Sequence, residues 1–549
     1  MPYLKGLMQH VPLTVDGILD HAAHWHADRE VVSRDATGIV TRMGYGELHW
    51  TAKRVSAALV DAGIKRSDRV ATLGWNSAMH LAAWYGTTNI GAVLHTLNPR
   101  LFLEQLAYIV NQANDRILFA DPSCAELVAR LLPLAPSIEH VVLLCSEAAM
   151  PATPYAARSF DAFLAGHEQG PSWGGFDEDA ACGLCYTSGT TGMPKGVLYS
   201  HRSNVLHTFM SLAADGLALT ERDTALLIVP MYHANAWGIV YSAPAAGAKL
   251  VLPGPLLDGE SVFALMEAEG VTFSAAVPTV WQALLDHLRR TGSRPSTLRR
   301  VVIGGSAPSP TMISAFQDDY GVEVLQGWGM TETSPLATVS QPTAAVLKLK
   351  RDEQAERKAM QGRLLYGLKL RIEDEDGNAQ PRDGTSAGRL KIAGHTVAAR
   401  YFGDEDGNIV DHRGYLDTGD VATVDAHGYL RITDRVKDMI KSGGEWISSA
   451  AIESVALSHP EVSGAAVIGT PHPTWDERPM LIAVRAEGSS IDAAGLLAFL
   501  TGKMARWWLP DRIVFVPALP LGATGKIDKQ QLRRDINSDL EATAVAPPS

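Results

Sequence analysis

The stretch Thr187-Ser188-Gly189-Thr190-Thr191-Gly192-Met193-Pro194-Lys195-Gly196 combines hydroxyls, two closely spaced glycines and one lysine. Glycine lets backbone N–H groups curl round phosphate oxygens, and Lys195 adds a mobile positive charge, so the segment is a phosphate loop in composition. It is not a Walker A loop. The closing Gly-Lys-Ser/Thr is absent, and the segment runs into Val197-Leu198-Tyr199, a strand candidate, rather than into a helix. Alone, such a stretch also fits a flexible Gly/Thr hairpin loop. The rest of the chain argues against that reading, because further glycine and acid clusters follow in order. Gln326-Gly327-Trp328-Gly329-Met330-Thr331-Glu332-Thr333 sets an acidic residue between two hydroxyls, suited to holding a phosphate-bound Mg²⁺ through carboxylate oxygen. Then come Tyr415-Leu416-Asp417-Thr418-Gly419-Asp420, Asp434-Arg435, Lys441-Ser442-Gly443-Gly444-Glu445-Trp446-Ile447-Ser448 and Gly522-Ala523-Thr524-Gly525-Lys526.

The elements that must position these clusters alternate along the first ~180 residues. The helical stretch 47–63 is followed by short apolar runs at Arg69–Leu73 and Arg116–Ala120. The same α/β alternation returns through 225–325, with β candidates at Ala225–Val229, Lys249–Leu252, Thr272–Ala276, Arg300–Ile303 and Glu323–Leu325, several of them suited to parallel sheets. Around 370–435 the texture changes to short strands with turn signals at Asp376-Gly377, Asp383-Gly384, Asp406-Gly407 and His427-Gly428, as in a small antiparallel or barrel-like unit. From about 438 on, helices at 450–458 and 491–505 and strands at Ala465–Ile468, Met480–Val484 and Arg512–Val516 make a compact α+β unit. Ser448 or Ser449 is a good N-cap for the first of these helices, with Ile452, Val455 and Ala456 on its apolar face. The last ten residues read as a disordered tail.

With 48 Lys+Arg against 60 Asp+Glu the 549-residue chain has a formal net charge of −12, which excludes a basic nucleic-acid binder. A hydrophobic fraction of 46% is ordinary for a globular protein. At this length it implies roughly three to five domains or subdomains. No apolar run approaches the ~18 residues of a membrane span, and the opening residues lack the apolar stretch of a secretory signal, so the expected location is cytoplasmic. Four cysteines are too few to staple such a chain. Cys182 and Cys185 lie in a short apolar run without a second ligand pair, and are expected to be buried strand residues rather than a zinc or redox site.

In these motifs the sequence resembles the adenylate-forming superfamily of acyl-CoA synthetases, luciferases and peptide-synthetase adenylation domains, over about residues 10–535. Within it the pattern is most similar to medium-chain fatty-acyl-CoA ligases and the bacterial 3-methylmercaptopropionate-CoA ligases, a likeness supported by Trp507-Trp508-Leu509-Pro510. The resemblance implies an α/β fold. A large N-terminal domain over 1–434 would hold two α/β subdomains and a small antiparallel β-barrel-like subdomain. A hinge at 435–437 would lead to a small mobile α+β domain over 438–549. It also implies a two-step reaction, in which a carboxylate attacks the α-phosphate of ATP to give acyl-AMP and pyrophosphate, and the thiol of coenzyme A then displaces AMP. The first step brings a carboxylate against a polyanion, so cations and amide donors must neutralise the charge as it redistributes.

By position in the motifs, Thr187, Ser188, Gly189, Thr190, Thr191, Gly192 and Lys195 would hold the β- and γ-phosphates, Thr331 the α-phosphate region, and Glu332 with Thr187 the magnesium. Asp420, with Arg435 beside it, would accept hydrogen bonds from the ribose hydroxyls. Gly304, Gly305, Ser306, Ala307, Gln326, Gly327 and Trp328 would form the adenine slot and one wall of the acyl pocket. Lys526, flanked by Gly522 and Gly525, is implied as the cation of the adenylation step. Lys437 is the hinge. Lys441, Ser442, Gly443, Gly444, Glu445 and Trp446 would replace Lys526 at the site during thioester formation and, with Lys437, contact coenzyme A.

For the acid, Tyr232, His233 and Trp237 match the second acyl-pocket segment, with His233 at the carboxylate and the pantetheine tunnel and Trp237 lining or closing the channel. With Gly305, Gly327, Met330 and Leu336 the lining is apolar, which favours a neutral-tailed monocarboxylate of short to medium length or of 3-methylmercaptopropionate type. Aryl or arylalkanoate and long-chain acids are the alternatives within the class. An adenylating module that loads an acyl-carrier protein is the alternative of another class; it usually lives beside a carrier domain. A non-catalytic relative would have lost Lys526, Glu332 or Asp420, and all three are present. Luciferase-like oxidation shares the motifs. A homodimer is expected from similar bacterial ligases.

Overall fold

Short, mostly apolar runs form the parallel strands: Val93–Leu97 and Ile117–Ala120 are buried at every position, as strands covered on both faces must be, with His95 in the first paired to Asp115 at 2.7 Å. The computed structural model describes Leu4 and residues 6–187, 193–404, 407–442, 445–522 and 527–535. Its first sheet has seven strands in the order Arg158–Ser159, His140–Leu143, Ile117–Ala120, Arg69–Leu73, Val93–Leu97, Ala181–Tyr186 and Gly196–Ser200. All neighbours are parallel except the last pair, which closes with Tyr186 opposite Gly196. The phosphate segment is therefore the connection of an antiparallel edge hairpin.

A second sheet of nine strands runs Arg363–Leu364, Leu336–Val339, Glu323–Gly329, Arg300–Ile303, Phe273–Ala276, Thr224–Leu227, Lys249–Leu252, Glu30–Arg34 and Val40–Gly44. It is parallel from Glu323–Gly329 to Glu30–Arg34, with antiparallel pairs at both edges. One apolar core reaches both sheets through the helices Tyr45–Asp61, Ala78–Thr88 and Ile239–Ala246. Its seam is polar at two points: Trp84 Nε1 donates to the Tyr241 hydroxyl at 2.9 Å, and the Tyr85 hydroxyl to the Val240 carbonyl at 2.8 Å. The outer helix Pro278–Thr291 starts on Pro278, buries Trp281, Leu284, Leu285 and Leu288 at helical spacing, and stops at Gly292 with φ 68°.

Leu368–Glu373, Gly388–Gly394, Leu416–Val424 and Leu430–Arg435 make a four-stranded antiparallel sheet, the unit expected from the turn signals. The remaining sheet orders Glu445–Ile447, Ile440–Ser442, Asp476–Arg485 and Val462–His472, with Arg512–Phe515 parallel to Asp476–Arg485. Ser448 caps the helix Ser449–Leu457 by accepting from Ala451 N, and Ile452 and Ala456 are fully buried. The helix expected at 491–505 is shorter, Ala493–Leu500: Thr501 turns to extended backbone and Gly502 takes φ 83°. All four cysteines are buried and free. Among the described residues no helix is long and apolar enough to cross a membrane.

Candidate active site

Both described ends of the phosphate segment are tied together: Thr187 N donates to the Lys195 carbonyl at 2.9 Å, and Lys195 N to Thr187 Oγ1 at 3.2 Å. Ser188, Gly189, Thr190, Thr191 and Gly192 lie outside the described residues, as do Gly443, Gly444 and Lys526. Thr331-Glu332-Thr333 form a single 3₁₀ turn after the strand Glu323–Gly329. Two tyrosines hold that turn. Tyr199 donates its hydroxyl to the Thr331 carbonyl at 2.7 Å, and Tyr401 to Glu332 Oε1 at 2.8 Å. The segment carrying Tyr401 is itself laid on the site, since Ala398 N donates to the Glu332 carbonyl and Phe402 N to the Gly196 carbonyl, each at 2.8 Å.

Lys195 Nζ stands 4.8 Å from the centre of the Tyr401 ring. A cation, an aromatic face and a buried carboxylate thus meet at one place, beside Thr187. Burial and the neighbouring Glu332 charge push the Tyr401 phenol well above its ordinary range, so it remains a donor. Neither tyrosine carried a signal of spacing in the sequence; only the fold brings them to Glu332.

Asp420 and Arg435 are direct partners across antiparallel strands, with Arg435 Nε 2.7 Å from Asp420 Oδ1. Asp420 is almost fully buried while its arginine is partly exposed. Asp434, next in the strand, turns the other way: its Oδ2 accepts from Ser449 N at 2.5 Å and Ser449 Oγ at 2.8 Å, joining this strand to the start of the helix Ser449–Leu457. Lys437 and Lys441 are exposed and Ser442 is buried, and Glu445 and Trp446 lie on the strand that faces it.

A second group surrounds Trp237. Asn76 holds the approach, donating to the Leu227 and Val229 carbonyls at 2.7 and 2.9 Å and accepting from Met231 N at 2.8 Å. Tyr232 is buried, its phenol pushed up to about 12 by that burial, and its ring meets His233 edge-on. Ala234, Asn235, Ala236 and Trp237 then take φ of 41, 56, 48 and 55° before Gly238 at 80°. A left-handed turn of four L residues is rare, because each residue in that conformation costs roughly 1–2 kcal/mol.

The turn lays the Trp237 indole against glycine. A Cβ on Gly304 would stand 2.8 Å from the indole and 2.9 Å from the Gly327 carbonyl, and one on Gly327 would stand 3.0 Å from Leu336 Cδ1. Gly305, Ser306 and Ala307 continue from Gly304 and are exposed. Met330 is half-buried and Trp328 nearly buried beside it. Gln326 is different: its backbone N donates to Ser340 Oγ and its carbonyl accepts from Ser340 N, while its amide faces the Ala359 and Met360 carbonyls at 2.7 and 3.0 Å. Its polar groups are engaged inside the sheet.

Behind the turn, His207 Nε2 accepts from Leu336 N at 3.0 Å, and a Cβ on Gly238 would stand 2.6 Å from the His207 ring. Burial holds this imidazole at a pKa of about 4, hence neutral. Among the described residues no group of three or more His, Cys, Asp and Glu could hold a metal ion. The Glu332 carboxylate is suited to a metal that arrives already carrying phosphate oxygens, which is how Mg²⁺ is usually bound.

The chain matches the AMP-binding enzyme family over residues 19–402 and the C-terminal domain of AMP-binding enzymes over 451–526. It is 46% identical to the 3-methylmercaptopropionyl-CoA ligase of Ruegeria lacuscaerulensis over 98% of this chain and 100% of that one. It is 44% identical to the medium-chain-fatty-acid–CoA ligase of Ectopseudomonas oleovorans over 96% of this chain and 97% of that one. Its fold is similar to that of the anthranilate CoA ligase AuaEII in complex with anthranoyl-AMP, with a TM-score of 0.85 at 24% identity over 97% and 99% of the two chains.

Proposed function

The chain belongs to the AMP-binding enzyme family, and we propose that it is an ATP-dependent, AMP-forming acyl-CoA ligase for a neutral-tailed monocarboxylic acid. Acids of short to medium length and of 3-methylmercaptopropionate type are the substrates that its relatives' activities and the Trp237 pocket favour. The observation that carries the reading is the meeting of Lys195, Tyr401 and Glu332 beside Thr187. A cation and a carboxylate at one point, beside a hydroxyl-rich glycine loop, suit a triphosphate and its metal.

In the reaction, Lys195 and the phosphate segment hold the departing pyrophosphate, and the Thr331 hydroxyl faces the α-phosphate. Glu332 and Thr187 would hold Mg²⁺, which when bound neutralises phosphate charge. Asp420, fixed by Arg435, accepts the ribose hydroxyls. Gly305, Ser306, Ala307, Gly327 and Trp328 form the adenine and acyl walls, which Gln326 supports from within the sheet. Lys526 supplies positive charge between the carboxylate and the α-phosphate. The Trp237 indole, Met330 and Leu336 enclose the acyl tail in an apolar channel, and His233 stands where the carboxylate and the incoming thiol meet.

The small domain from 438 on, turning about Lys437, then exchanges Lys526 for the segment 441–446, past which pantetheine enters. A cytoplasmic homodimer is the expected state. The test is AMP release by the purified protein across straight-chain acids, 3-methylmercaptopropionate and phenylalkanoates. A maximum among short to medium or thioether acids supports the substrate class; a maximum at long-chain or aryl acids replaces it.

A further inference from the structure

The strand Ala181–Tyr186 ends where the phosphate segment begins, and on its way there it buries two thiols. Cys185 Sγ accepts from Ala234 N at 3.4 Å and donates to the Tyr232 carbonyl at 3.5 Å, so one thiol spans both peptide groups that flank His233. Cys182 acts at one remove. Its sulfur accepts from Asn204 Nδ2 at 3.0 Å, and Asn204 Oδ1 accepts from Asn235 Nδ2 at 3.0 Å, which ties the second residue of the left-handed turn to the same strand. At the far end His207 packs under Gly238 and accepts from Leu336 N.

All five groups, Cys182, Cys185, Asn204, Asn235 and His207, are buried. A run of left-handed L residues persists only where its surroundings over-determine it, and these contacts are what surrounds it. Without them the turn would relax, carrying His233 at one end and the Trp237 indole, now pressed on Gly304, at the other.

We infer that Cys185, with Cys182 and Asn204 behind it, is a positioning residue for His233 and Trp237, and thereby sets which acyl chains the site accepts. The inference rests on the proposed ligase reading and specifies its acyl site. Burial raises both thiols out of the range in which they ionise near neutral pH, which the geometry requires, since a thiolate could not donate to the Tyr232 carbonyl. The strand that anchors the turn leads directly into Thr187, so the acyl and phosphate sites hang on one rigid element.

The experiment measures kcat and KM for straight-chain acids from propionate to decanoate, and KM for ATP, in the full chain and in Cys185→Ala, Cys185→Ser and Asn235→Gly. Asn235→Gly removes the amide link while glycine accepts φ near 56° freely, so this variant folds even where Cys185→Ala does not, and then decides alone. Expected are a fall in kcat/KM of about ten- to a hundredfold for the best acid, a shift of the preferred chain length, and a KM for ATP within about twofold. Cys185→Ser, which can still donate and accept, should recover part of kcat. An unchanged chain-length profile, with all acids scaled by one factor or not at all, would overturn the inference while leaving the ligase reading intact. Absence of acid-dependent AMP release in the unmodified protein would remove the ligase reading itself.

Discussion

Tyr401 donates its hydroxyl to Glu332 Oε1 at 2.8 Å while Lys195 Nζ lies 4.8 Å from the centre of the same ring. One side chain therefore sets the spacing between the Lys195 cation, proposed to hold phosphate, and the Glu332 carboxylate, proposed to hold the metal. Tyr401→Phe keeps the aromatic face and removes only the hydrogen bond to a charged group, worth about 1.5–3 kcal/mol. Acyl-AMP formation, measured by hydroxylamine trapping, should fall about tenfold or more, with a higher Mg²⁺ concentration needed for half-maximal rate. An unchanged Mg²⁺ dependence would take Tyr401 out of the metal site.

Trp237 and Gly304 should control chain length in opposite directions. If the indole closes the proposed acyl channel, Trp237→Gly opens it and should extend the usable acid toward longer chains. Gly304→Ala puts a methyl group 2.8 Å from the indole, which has to shift, and should restrict the enzyme to its shortest acids. Specific activity plotted against chain length checks both; a profile unmoved by either would remove Trp237 from the lining.

Lys526→Ala should lower acyl-AMP formation by about three orders of magnitude, the scale expected when a charge placed at the reacting oxygens is deleted. Thioester formation from supplied acyl-AMP should stay close to normal, since the segment 441–446 is proposed to serve that step in its place. Equal losses in both half-reactions would assign Lys526 a general structural role.

Three buried imidazoles, His80, His201 and His207, have pKa values lowered to about 4 by burial. The unfolded chain binds their protons near pH 6.5, so between the two values the unfolded state takes up more protons than the native one. Their contribution to stability is complete above about pH 6.5 and is lost as the pH falls toward 4, at up to about 1.4 kcal/mol per pH unit for each group. The apparent Tm should fall steeply from pH 6.5 to 4.5, and His207→Gln should flatten that fall by about a third. A Tm independent of pH over this window would contradict the assignment.

The strands Arg69–Leu73, Lys249–Leu252 and Arg300–Ile303 could be read to the residue, because after a half-buried basic first residue each is buried and mostly apolar, as parallel strands covered on both faces are. Their neighbours could not. Glu30–Arg34 joins Lys249–Leu252 across more than half of the large domain, and no local signal specifies such a pairing. Glu332 and Asp420 stand in glycine and acid motifs, which is why the sequence singles them out. Tyr199, Tyr401 and Asn204 are single polar residues whose partners lie far away in sequence, so only the fold reveals them. Cys182 and Cys185 were legible as buried strand residues, yet their grip on the acyl turn depends on side-chain direction, which composition does not encode.

AMP-forming acyl-CoA ligation is tested most directly by quantifying nucleotide and thioester products from ATP, coenzyme A and octanoate or 3-methylmercaptopropionate with the purified protein. AMP, pyrophosphate and acyl-CoA should form in equal amounts, with none of the three accumulating catalytically when coenzyme A or the acid is omitted. Formation of ADP, or acyl-AMP that accumulates without ever passing to coenzyme A, would contradict it.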